Sequence, residues 1–329
     1  MKKARVIFFG TPDFAVPALE ALVKAGYEIV AVVTQPDKPV GRGLKMEAPA
    51  VKVKAQELGL MVLQPAALNV VGPGLVPGRG GVQDPALQRL KTLNPDLGVC
   101  VAYGKIIPKA VLDLFPRGVL NIHPSLLPKY RGPSPIQTAI RNGDEETGVT
   151  IMLLDEEMDH GPILSCSVYP VACNATGGEL SKLLAQEGAK LLIKTIPQWL
   201  NRTVEPLKQD HSRATFTKML EREDGRIDWS KPAEQIERMI RGYNLWPGTF
   251  TTWNGKRLKI LRVSLLHPTI GCANNSTAGY VWRTDDDRLA VNCNPGSIIL
   301  ETLQPEGKKE MTGEDFLRGS PKFLGSILS

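Results

Sequence analysis

The sequence predicts an α/β chain in two parts, a doubly wound, mostly parallel sheet followed by a small β-barrel. Three observations predict it. Apolar strand-like runs alternate with helical patterns through the first part, as βαβ units require. Around residues 206–225 the apolar pattern lapses into a mixed polar stretch. Beyond it, short strand-like runs recur between Gly, Asn and Asp turns, the habit of a small barrel. A chain of 329 residues suits two domains better than one. The expected division is a first domain over 1–206, a linker over about 207–224 and a barrel domain to 329.

The predicted elements follow in order. Residues 6–9 form a strand, 17–24 a helix and 29–34 a second strand. Residues 51–57 are helical and precede a short strand at 61–63. Strands follow at 97–102, 118–122 and 150–154, the last after a loop rich in Pro and Gly. Residues 178–195 form a long amphipathic helix with Leu180, Leu183, Leu184, Leu191 and Leu192 on its apolar side. This is a Rossmann-like arrangement, which binds ligands beyond the carboxyl ends of its strands. In the second part, 236–243 is helical, and strands at 249–253, 258–263, 279–282, 289–291 and 298–303 make an OB-like barrel. Residues 72–83 are Gly/Pro-rich without a period and read as a surface loop.

Charge and cysteine content narrow the function classes. The net charge is +6, spread evenly, with 22 Lys and Arg against 19 Asp and Glu in residues 1–206 and 18 against 15 beyond. A polyanion site must therefore come from local clustering rather than a basic tail. Five scattered cysteines, Cys100, Cys166, Cys173, Cys272 and Cys293, show no CxxC spacing and imply neither a zinc site nor a disulfide framework. With no long apolar run, the expectation is a soluble, cytoplasmic chain with no membrane partner.

The densest polar cluster is Asn121-Ile122-His123-Pro124-Ser125-Leu126-Leu127-Pro128-Lys129-Tyr130-Arg131-Gly132, at the end of a predicted strand. Asn121 and His123 are two apart in extended chain, so both side chains leave one face and can hold a small carbonyl between them. Pro124 favours that extended form for His123. On composition alone, Asn121 could instead cap its own loop, and His123 could be an ordinary surface histidine. Asp159, in Glu157-Met158-Asp159-His160-Gly161, could belong with them or merely cap a turn.

Asn121-x-His123-x-Ser125-Leu126-Leu127-Pro128, followed by Asp159-x-Gly161, resembles the signature of the folate-dependent formyltransferases. That family includes glycinamide ribonucleotide formyltransferase, the hydrolase domain of formyltetrahydrofolate dehydrogenase, sugar-amine formyltransferases and methionyl-tRNA formyltransferases. The resemblance implies a formyltransferase fold, with Asn121 and His123 polarising the formyl oxygen and Asp159 supporting His123 and water-mediated proton transfer. It implies 10-formyltetrahydrofolate as co-substrate and no metal. Ser125, Leu126, Leu127 and Pro128 resemble the folate-binding stretch, and Ala102, Tyr103, Gly104 and Ile106 the loop that encloses the pterin. Read without the resemblance, 102–106 is equally a strand-to-helix turn.

The acceptor must be argued elsewhere in the chain. Residues 38–54 carry five basic side chains, Lys38, Arg42, Lys45, Lys52 and Lys54, against one acid. They could grip phosphates, with Gly41 and Gly43 letting the loop fold onto a nucleic acid, or form a solvated basic loop. The run Gln35-Pro36-Asp37-Lys38-Pro39-x-Gly41-Arg42-Gly43 resembles the loop with which the methionyl-tRNA members of the family enter the tRNA acceptor end. By that likeness initiator methionyl-tRNA is the partner, with Gly41, Arg42, Lys45 and Lys54 facing it and the chain acting as a monomer. Phe14, in Gly10-Thr11-Pro12-Asp13-Phe14-Ala15, would line the methionine pocket, although it could simply pack in the core. Arg226-Ile227-Asp228-Trp229 and the stretch from Ile240 to Gly248 resemble the start of the family's tRNA-binding barrel, with Leu245 departing from its usual Pro. The rival readings are a sugar-nucleotide N-formyltransferase with the same catalytic triad, a formyltetrahydrofolate hydrolase, and an RNA-binding protein on a retired enzyme fold.

Overall fold

The computed structural model describes residues 4–40, 45–66, 68, 85–266 and 277–329. The first elements are β1 (Arg5–Gly10), α1 (Val16–Lys24), β2 (Glu28–Val33), β3 (Lys38–Val40), β4 (Lys45–Glu47), α2 (Ala50–Glu57) and β5 (Val62–Leu63). Then come α3 (Pro85–Thr92), β6 (Leu97–Val101), α4 (Lys109–Leu112), β7 (Val119–His123), α5 (Pro135–Asn142), β8 (Glu146–Leu153), β9 (Ile163–Pro170) and α6 (Gly177–Leu200). The last are α7 (Ala233–Gly242), β10 (Thr249–Trp253), β11 (Lys256–Leu265), β12 (Val281–Arg283), β13 (Leu289–Asn292), β14 (Ser297–Pro305), β15 (Met311–Thr312) and α8 (Gly313–Gly319). None of these helices is long and apolar enough to cross a membrane. Two compact units result: residues 1–132, 147–170 and 181–216 in one, and 133–146, 171–180 and 217–329 in the other.

The first unit holds a sheet ordered β5-β2-β1-β6-β7-β8-β9. Neighbours from β5 to β7 run parallel, and β8 runs antiparallel to β7. The predicted doubly wound, mostly parallel sheet is therefore present. Its central strands are buried along their whole length, so β6 reads Leu-Gly-Val-Cys-Val and both faces must be covered. Ile7, Phe9, Val33, Cys100 and Val119 meet Leu90, Val111 and Phe115 in one core. Chain order reverses between β1 and β6, and the crevice beyond their carboxyl ends is where such sheets take ligands. Gly10 ends β1 there because a Cβ would lie 2.7 Å from the Phe8 ring and 3.2 Å from Val101 O.

Several elements differ from the sequence reading. The predicted Pro/Gly loop before residue 150 contains α5, with Pro at its first turn and Gly143 closing it at φ +71°. Those two residues are ordinary helix start and stop signals. The strand expected at 150–154 starts earlier, at Glu146, and β9 was not anticipated. The half-buried face of β9 carries Ser165 and Ser167 while Val168 is exposed, so apolar and polar residues do not sort by face and its strand signal is weak. On α6, Leu180, Leu184, Ala185, Ala189, Leu192 and Ile196 make the buried stripe, while Leu183 falls off it and is 42% exposed. Residues 207–216, at the start of the predicted linker, group with the first unit. The 72–83 segment and Cys272 lie outside the described residues.

The second unit contains an antiparallel sheet ordered β10-β11-β14-β13-β12, with β15 beside β14. Register shifts around Arg262 bend β11 against β14, the local effect of a bulge. The final residues close the sheet. Thr252 in β10 exchanges backbone hydrogen bonds with Ser329, while Leu328 donates to Gly279 O and Val281 in β12 donates to Ser326 O. Inside lie Ile236 and Ile240 of α7, Phe316 and Leu317 of α8, and Phe323, which meets Phe316 and Trp253 edge-on at ring separations of 4.9 and 5.2 Å. The small barrel expected from the sequence is this curled sheet.

Candidate active site

The fully buried β7 ends in Asn121-Ile122-His123, with Asn121 opposite Cys100 of β6 and Met152 of β8. Period-two geometry puts Asn121 and His123 on one face, and both are buried, at 7% and 4% exposure. A turn after β8 brings Asp159 to the same place. Its carboxylate lies 3.5 Å from Asn121 Nδ2 through Oδ1 and 3.5 Å from His123 Nδ1 through Oδ2. The Gly132 N–H donates to Oδ2 at 2.8 Å and fixes that oxygen. His123 Nε2 is 2.9 Å from Tyr130 O. A carbonyl only accepts, so Nε2 carries the hydrogen and Nδ1 is the nitrogen turned toward the carboxylate.

Two backbone details shape the turn. Asp159 adopts φ +48°, left-handed for a residue with a side chain. Gly161 follows because a Cβ there would fall 2.0 Å from Leu153 O. Thus Asp159 is presented over the sheet end by a turn pressed against β8.

The stretch after His123 is bound into the same frame. Thr150 Oγ1, opposite His123 on β8, donates to Ser125 O at 2.6 Å and accepts from Leu127 N at 3.2 Å. Ser125 Oγ donates to Lys129 O, Leu126 packs over Gly148, and the Leu127–Pro128 peptide is cis. Beyond β6, Ala102 (φ +46°) and Gly104 (φ +77°) turn the chain and are exposed, and Ile106 is 79% exposed. Tyr103 behaves differently. Its ring is buried edge-on to Phe9, and only its carbonyl faces the crevice residues, accepting from Thr11 Oγ1 and Gln35 Nε2 at 2.9 Å each. Beneath the cluster, burial pushes the Cys100 thiol up to about 12, with the nearby Asp159 charge adding to the effect. Cys100 is therefore an inert core thiol, not a nucleophile.

The formyl transferase family matches residues 2–196, and its C-terminal domain matches residues 219–321. This chain belongs to the formyl transferase family. Relatives named methionyl-tRNA formyltransferase support the assignment over nearly full length. The one from Chloroflexus aurantiacus is 45% identical, with 96% of each chain covered, and that from Roseiflexus castenholzii is 46% identical with the same coverage. A solved methionyl-tRNA formyltransferase from Clostridium thermocellum shares the fold at 18% identity and a TM-score of 0.55, covering 81% of this chain and 95% of that one.

The other residues that the sequence singles out in this formyl transferase lie after β1, on β4 and on α2, or outside the described residues. Phe14 is half-buried in the turn directly after β1. Lys45 is exposed on β4, in a hairpin with β3. Lys54 lies on α2 with its ammonium 3.0 Å from Glu20 and 2.7 Å from Glu57. Lys52 reaches Asp37 at 2.7 Å, and Gln64 bonds the same carboxylate, so Asp37 is held below the usual carboxylate range by Gln64 first and Lys52 second. Gly41 and Arg42 lie outside the described residues. Sequence reasoning missed Gln209 and gave Arg131 no role. Gln209 stood in a polar stretch without periodicity, and its partners are 48, 50 and 78 positions away, so nothing local marked it.

Proposed function

We propose that the chain transfers the formyl group of 10-formyltetrahydrofolate to the α-amino group of methionyl initiator tRNA. The observation that carries this reading is the carboxylate of Asp159 standing 3.5 Å from both Asn121 and His123 at a strand tip. Near-full-length identity to relatives named methionyl-tRNA formyltransferase supports the acceptor.

Each residue type suits its step. The amine attacks the formyl carbon, and the carbonyl electron pair moves onto oxygen. One amide hydrogen of Asn121 reaches Asp159, leaving the second for that oxyanion. The His123 ring, with Nε2–H committed to Tyr130, presents Nδ1 to Asp159 and stands beside Asn121, where the imidazole can polarise the formyl oxygen. One aimed donor to an oxyanion is worth about 3–4 kcal/mol. Asp159 Oδ2 is held by Gly132, so Oδ1 is the better placed to take the amine proton through water. Collapse restores the carbonyl and breaks the bond to the folate nitrogen, which takes a proton. The products are a formamide and tetrahydrofolate. The exposed backbone of Ala102 and Gly104, the side chain of Ile106 and the apolar run Leu126–Pro128 suit a pterin, which needs apolar walls and a few backbone hydrogen bonds. Tyr103 would contribute there through its carbonyl surroundings, its ring being in the core.

We assign catalysis to 1–206 together with the 207–216 stretch that groups with it, and tRNA contact to the chain beyond and to the acceptor-side residues Phe14, Gly41, Arg42, Lys45 and Lys54, in a cytoplasmic monomer. The test is incubation with 10-formyltetrahydrofolate and charged initiator tRNA, beside free methionine and an amino-sugar nucleotide. Formyl-methionyl-tRNA is the expected product. Formylation of the amino sugar without the tRNA would overturn the acceptor.

A further inference from the structure

We propose that Gln209 and Arg131 form a buried clamp that sets where Asp159 stands, so that both are positioning residues for the proposed transfer. The inference rests on the formyl-transfer reading of the site and deepens it.

The Asp159 main chain sits at φ +48°, which a residue with a side chain holds only where its surroundings impose it. Gln209 supplies the restraint. Its Nε2 donates to Asp159 O at 2.9 Å and to Gly161 O at 2.7 Å, using both amide hydrogens on the two ends of the turn. Its Oε1 accepts from Arg131 Nε at 3.1 Å and Nη2 at 2.7 Å. A guanidinium has donors only, so Arg131 decides which way the amide faces and commits its nitrogen to the turn. Both side chains are buried, Gln209 at 6% and Arg131 at 3% exposure, where water is a poor substitute for either bond.

The clamp also closes from the other side. Arg131 N donates to Thr215 O and Tyr130 N to Thr215 Oγ1, each at 2.8 Å, so the 207–216 stretch holds residues 130 and 131 as well as the turn. The next residue, Gly132, donates to the Asp159 carboxylate, and Tyr130 O fixes His123. Asp159 is thereby pinned at its carbonyl by Gln209 and at its carboxylate by the neighbour of the residue that orients Gln209.

Gln209→Glu separates the two halves of the clamp. The new carboxylate can still accept from Arg131 but offers the turn carbonyls no hydrogen. Misplacing a reacting group by an ångström can cost about a hundredfold. The expected result is a kcat lowered roughly 10- to 100-fold with KM for folate and for tRNA within about twofold. The variant remains folded at the assay temperature with a lowered thermal midpoint, because two buried hydrogen bonds are lost, and the Gly132 amide resonance shifts in the nitrogen–proton correlation spectrum, because its acceptor has moved. Wild-type kcat in a folded variant, a kcat loss equal to the lost folded fraction, or an unmoved Gly132 resonance would each overturn the clamp. Should Gln209→Glu fail to fold, Gln209→Met is judged by the same three readings. A wild-type protein that transfers no formyl group sinks the proposed function, while the Gly132 shift still decides the clamp.

Discussion

Asp159 is held at two points, its carboxylate and its carbonyl, and the difference predicts how its variants behave. Its carboxylate meets Asn121, His123 and the Gly132 N–H, whereas its carbonyl is spoken for by Gln209. Asp159→Asn therefore keeps the turn but loses the proton acceptor. Formyl transfer is expected to fall by about 100-fold or more, in line with losing a general base, while a denaturant melt changes little. A melt that collapses along with the activity would assign Asp159 to the fold instead. Cys100 makes a prediction about pH. Its thiol is raised from an ordinary 9.0 to about 12 by burial, and Cys293 behaves alike. A group whose folded value lies above its unfolded one stabilises the fold fully below pH 9, and that contribution is lost as pH climbs toward 12. Each such group then costs about 1.4 kcal/mol of stability per pH unit in that window. Titration of the unfolding midpoint should show a decline beginning near pH 9 that is shallower in Cys100→Ala.

Among the elements, the curled sheet of the second unit makes the sharpest claim. Phe323 is fully buried between the Phe316 and Trp253 rings. Phe323→Ala should destabilise that unit by roughly 3–5 kcal/mol, read as a shift in denaturant midpoint. An unchanged midpoint would mean the ring is not part of the core. Elements also show what could be read in advance. Strands β1, β2 and β6 stood out through their apolar runs, and β7 through Val119, Leu120 and Ile122. The helix α5 was hidden by the same Pro and Gly that delimit it, and β9 by its half-exposed face. Closure of the barrel by residues 325–329 pairs segments far apart in sequence, which no local pattern announces.

For the whole molecule, the site was legible to the extent that it was sequential. Asn121 and His123 share a strand, so spacing alone put them on one face. Asp159 joined them only through family likeness, because a carboxylate in a turn is chemically unremarkable. Gln209 returns to the site from beyond residue 206, and only folding reveals it. The same distinction governs the basic stretch over 38–54. Counted along the chain it offers five cations, yet Lys52 and Lys54 are already matched to Asp37, Glu20 and Glu57. Side chains neutralised at home displace few counterions from a nucleic acid. Lys45→Gln should therefore flatten the dependence of RNA affinity on ionic strength by about 0.7–0.9 in the log–log slope, and Lys52→Gln by almost nothing. Equal flattening by both would mean that Lys52 abandons Asp37 when the polyanion arrives.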